Sequence, residues 1–100
     1  MLSVKLKIVE EGLKHPLATL RQAIAERLLS NDVVLSDDAN VELKIKFMRV
    51  DSREAILLQQ RDTASKHKFS EKVIRYFPDT WIQDIAEHAA LLIGEPEYAI

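Results

Sequence analysis

Val41-Glu42-Leu43-Lys44-Ile45-Lys46-Phe47-Met48-Arg49-Val50 puts an apolar side chain at every odd position as far as Phe47. Val4-Lys5-Leu6-Lys7-Ile8 does the same near the N-terminus. In an extended chain successive side chains point to opposite faces. Each stretch therefore reads as a β-strand with one apolar and one cationic face. A sheet built from them buries the Val4, Leu6, Leu43, Ile45 and Phe47 side and turns Lys5, Lys7, Lys44 and Lys46 the other way.

The segments around these strands complete an α+β pattern. After Gly12 the chain reaches His15-Pro16, and proline suits a first helical turn, where its missing N–H has no partner in any case. Leu17, Leu20, Ile24 and Leu28 recur at spacings of three and four, the stripe of an amphipathic helix. Residues 31–40 read as a loop holding Asp32, Asp37 and Asp38. Asp51-Ser52-Arg53 is a tight-turn signal, so residues 41–50 and 54–61 form a hairpin. Residues 62–70 show no apolar periodicity. Residues 72–77 suit a strand by propensity, although Ser70-Glu71 also resembles a helix cap; the strand is the reading taken. Thr80 and Gln83 have capping-box spacing ahead of the stripe Ile82, Ile85, Ala86, Ala89 and Leu92. Gly94 and Pro96 mark the end of that helix.

The expected order is β-α-β-β-(β)-α. That is one small α+β domain over residues 1–100, with a loose tail at about 95–100. Its three- to four-stranded mixed sheet carries two helices packed on one face.

Composition narrows the function. One hundred residues fit one domain. The net charge of −2 gives no global pull toward nucleic acid or anionic membrane. No cysteine is present, which removes disulfides, thiolate metal sites and cysteine nucleophiles together. The longest apolar run, residues 89–93, is too short to span a bilayer. No secretory signal is visible, so the expected location is cytoplasmic, with no membrane partner.

No chemical motif emerges. Gly12 and Gly94 cannot make a phosphate-cradling loop. No serine has a nucleophile-elbow context. Asp37-Asp38 lies in a polar loop, where nothing shifts a carboxylate toward acid–base work. Asp84 and His88 stand one helical turn apart with Glu87 beside them, but a dedicated metal site wants a fixed set of three or more ligands. The expectation is no catalytic, cofactor or metal residue, and no enzyme; a small enzyme with a cryptic site is the third reading.

Two surfaces remain. By alternation Val9, Met48, Val50 and Leu57 share the lysine face and make one end of it apolar. Leu91 and Ile93 belong to an apolar run at the end of the last helix that needs cover on more than one side. An apolar patch beside charge marks an interface. These six residues form the candidate protein interface expected of a self-associating, homodimeric domain with a regulatory, adaptor or structural accessory role. The alternative is a nucleic-acid-binding accessory module. It would use Lys5, Lys7, Lys44 and Lys46 with Arg61, Lys66, Lys68 and Arg75 of the basic 61–75 segment, where aromatic residues are interleaved.

Overall fold

A computed structural model describes residues 2–9, 17–62 and 69–94. The elements run β1 (Leu2–Val9), α1 (Leu17–Leu29), β2 (Val33–Leu35), β3 (Val41–Val50), β4 (Arg53–Asp62), β5 (Phe69–Arg75) and α2 (Trp81–Gly94). The α+β order holds, with one correction: the mixed sheet has five strands, in the order β2-β1-β3-β4-β5.

The added strand is β2. Its Val33-Val34-Leu35 is flanked by aspartates that make the segment read as loop. Burial of Val33 and a parallel ladder with Leu2, Ser3 and Val4 of β1 override that composition. β3 takes up the other side of β1 from Val4 onward, also in parallel. The 36–40 loop therefore carries the chain across β1 at the level of Val4, whose carbonyl accepts from the Ser36 N–H at 2.8 Å. Asp32, at φ 62°, makes the turn out of α1.

β3 and β4 form the expected hairpin, closed by the Val50–Arg53 pair. Its two-residue turn, Asp51-Ser52, has φ of 52° and 68°. Positive φ at both positions is the type I′ geometry that matches the twist of the flanking strands. β5 pairs antiparallel with β4. Residues 72–75 are thus strand, and the strand reaches back to Phe69 inside the stretch read as connection. Its alternation was hidden by the polar neighbours Ser70, Glu71 and Lys72.

Both helices cover one face of the sheet. Val4, Leu6, Leu43, Ile45, Phe47, Ile56 and Leu58 point into the core, where Leu20, Ile24 and Leu28 of α1 meet Ile85, Ala89 and Ile93 of α2. Trp81, at the first turn of α2, packs edge-on against Phe47 (centroids 5.8 Å apart, 72°) and beside Tyr76 (6.1 Å). The cap differs from the capping-box expectation. Thr80 Oγ1 donates to Asp84 Oδ2 at 2.8 Å, and the Asp84 N–H donates to the Thr80 carbonyl at the same distance. Asp84 in the first turn also suits the positive end of the helix dipole. No described helix is long and apolar enough to cross a membrane.

Candidate protein interface on the open sheet face

The strand registers turn the second face of the sheet into rows. Lys5 lies opposite Glu42, which lies opposite Arg61. In the next row Lys7 neighbours Lys44, then Gln59 and Glu71. The third runs Val9, Lys46, Leu57, Val73. The fourth runs Met48, Ala55, Arg75, and the Val50–Arg53 pair ends the face. The cationic end and the apolar end inferred from alternation thus lie on one face, with Val9, Lys46, Met48 and Leu57 at its centre.

Burial follows the rows. Lys5 and Lys7 are exposed, while Lys44 and Lys46 are half-buried among their neighbours. Lys7 beside Lys44 places like charges on adjacent strands, a small cost without a counter-charge between them. Glu71 is engaged by Gln59, whose Nε2 donates to its Oε2 at 2.8 Å. Val9, Met48 and Leu57 are half-buried, and Val50 is 44% exposed. Ala55 is buried and lies apart from the main core. Toward the hairpin end a hollow of about 510 Å³ opens beside β5, lined by Val50, Ala55 and Val73 with Arg53, Glu54 and Arg75 around them.

One interface assignment is corrected. Ile93 is only 7% exposed and belongs to the core, because the last turn of α2 directs it at the sheet rather than outward. Its neighbour Leu91 is 48% exposed on the solvent side of α2. Leu91 is separated from the open sheet face by the whole thickness of the core, so the two apolar surfaces are distinct.

The basic set divides as well. Arg61 falls in the Lys5 row and Arg75 in the Met48 row, at opposite ends of the face. Lys66 and Lys68 lie outside the described residues. Trp81 is in the core and Tyr76 packs against it, so these rings hold α2 to the sheet. Burial, and next the negative charge of Glu54, raise the Tyr76 phenol above its ordinary value of 10.0.

Sequence reasoning missed Val73, which is 54% exposed on the open face of the edge strand β5. The signal was present: Glu71, Val73 and Arg75 alternate with Lys72, Ile74 and Tyr76. Only the pairing with β4 shows which set faces out. Among the described residues no group of three His, Asp or Glu side chains converges as a metal would require. His88 Nδ1 is buried on α2 with no hydrogen-bond partner among them.

No protein-family model matches the chain. No curated protein matches it either. Among solved structures it is similar to TolB from Acinetobacter baumannii, with a TM-score of 0.64 and 7% identity over 92% of this chain. The chain spans 27% of that TolB chain's length. It is also similar to the PelC dodecamer from Paraburkholderia phytofirmans, with a TM-score of 0.51 and 10% identity over 93% of this chain and 84% of PelC. At such identities the likeness is one of fold.

Proposed function

We propose that this chain is a non-enzymatic protein-interaction domain that associates with itself, most simply as a homodimer. Its role is regulatory, adaptor-like or structural, in the cytoplasm and without a cofactor. The observation that carries the reading is the apolar set Leu57 and Val73, with Met48 and Val50 beside it and Val9 across Lys46, on a sheet face that no described element covers. A patch of this kind at the edge of a cationic surface is the anatomy of an interface with a polar rim. The PelC structure is a dodecamer, so a fold of this kind can assemble from copies of itself. Light scattering at about 100 µM tests the proposal, because association follows mass action. A dimeric mass supports it and a monomeric mass overturns it.

The Lys7–Lys44 neighbours, with Lys5 and Lys46 on the same face, favour a second reading as a nucleic-acid-binding accessory module. Such binding weakens steeply with salt as counterions are released. Fluorescence anisotropy with a single-stranded oligonucleotide at low salt tests it, and a flat titration removes it.

A further inference from the structure

We infer that two copies join edge to edge through β5, antiparallel, about a two-fold axis at Val73. The inference rests on the self-association proposed above and names its contact. The sheet ends at β5, with no described strand on its far side. The Tyr76 N–H donates inward to the Glu54 carbonyl at 3.3 Å. In an antiparallel ladder the backbone groups of alternate residues point to alternate sides. Glu71, Val73 and Arg75 therefore present their N–H and C=O groups to the open edge, free to pair with another strand.

Charge selects the register. A two-fold axis perpendicular to the sheet keeps both open faces on the same side and sets the axial residue opposite itself. With Glu71 on the axis, two carboxylates meet. With Lys72 there, two ammonium groups meet. With Ile74 there, Arg75 faces Val73 and no charge is matched. With Val73 on the axis, Glu71 of each copy lies opposite Arg75 of the other, and Lys72 lies opposite Ile74. This register alone gives two opposite-charge pairs and no like pair. Directly opposed charges of this kind stabilise antiparallel strands, and like charges oppose them. Glu71 keeps acceptor capacity beyond its bond from Gln59, since a carboxylate takes several donors. The three outward-facing pairs each exchange two backbone hydrogen bonds. The apolar row then runs unbroken from Leu57 through both copies of Val73 to the second Leu57. Lys72, pointing to the helix side of an edge strand, discourages indiscriminate pairing and leaves the Val73 register favoured.

Charge reversal and crosslinking test the contact, with circular dichroism confirming that each variant is folded. Glu71→Arg and Arg75→Glu should each raise the dimer dissociation constant about tenfold, through opposed like charges at two symmetric positions. The double variant should restore it to near the starting value. Because the chain has no cysteine, Val73→Cys introduces a single thiol. Its axial Cα pair would be about 5.5 Å apart, within disulfide range, so mild oxidation should give a covalent dimer. A double variant no better than the singles, or failure to crosslink, overturns the edge contact. Leu57→Lys separates the two levels of the proposal. A dimer that survives charge reversal yet dissociates with Leu57→Lys packs face to face, so self-association stands and the β5 contact falls. A wild-type monomer removes both.

Discussion

Ile56 and Leu57 are adjacent in β4, yet their truncation should differ severalfold in cost. Ile56 is fully buried on the helix-covered face, where it packs with the core residues of α1, α2 and the neighbouring strands. Leu57 is half-buried on the open face, between Lys46 and Val73. Removing a fully enclosed aliphatic side chain loses its transfer free energy and leaves a cavity that the core closes only in part. Ile56→Ala should therefore cost about 3–4 kcal/mol. Leu57→Ala removes a side chain only partly shielded from water and leaves no closed cavity, because water fills the space, so its cost is about 1 kcal/mol. For a domain of this size each kcal/mol moves Tm by about 4–8 °C. Thermal melts at low micromolar concentration, followed by far-UV circular dichroism, should show Ile56→Ala melting more than about 12 °C low and Leu57→Ala about 4–8 °C low. Equal or reversed costs would refute the face assignment. A one-residue slip of β4 exchanges every side chain between faces, so the comparison also tests the register.

Four further outcomes follow from specific contacts. Ser52→Gly should raise stability by about 0.5–1 kcal/mol in urea melts, because Ser52 holds φ of 68°, a conformation glycine adopts without strain. Lys7→Glu should stabilise by about 0.2–1 kcal/mol at low salt by converting the Lys7–Lys44 neighbours into an opposite pair, with the gain shrinking in 1 M salt. Leu91→Lys should change stability by less than about 0.5 kcal/mol while Ile93→Lys abolishes cooperative folding, since only Ile93 lies in the core. Tyr76, raised in the fold by burial and then by Glu54, should ionise above its ordinary value of 10.0, its signal assigned by Tyr76→Phe in tyrosinate absorbance. The stability linked to that raised value is fully present below pH 10.0 and is lost as the pH rises through the folded-state value. Glu54→Gln should bring the titration part of the way back.

The parts of this fold legible in the chain are those where one physical signal acts alone. In β3 the alternation of Leu43, Ile45 and Phe47 with charged residues specifies a strand, a buried face and an open face together. The turn at Asp51-Ser52 follows from residues that tolerate positive φ between two such strands. α1 was readable because Leu20, Ile24 and Leu28 hold helical spacing against a polar background. β2 was not, because three residues are too few to show a period, and its pairing with β1 is a long-range contact. Ile93 was misplaced for a related reason. In a helix end apolar on all sides, the sequence supplies no polar face to orient it, and only packing against the sheet separates Ile93 from Leu91.

The candidate interface shows the same division more sharply. Alternation within β1, β3 and β4 placed Val9, Met48 and Leu57 on the lysine face one strand at a time. It could not say how the strands align, and alignment is what turns scattered residues into a surface. Only the pairing of Leu57 with Val73, and of Met48 with Ala55 one row on, makes the apolar residues a patch that ends at an open strand edge. The lysines then have a definite position relative to that patch. Lys5, Lys7 and Lys44 lie in the rows beyond it and Lys46 stands within it beside Leu57, all on β1 and β3 away from β5, so two copies joined at β5 would keep these lysines apart. The axial Val73 pair puts an apolar contact at the shared edge, and the lysines of β1 and β3 stay on the outside. For this chain, charge and hydrophobicity favour the same edge.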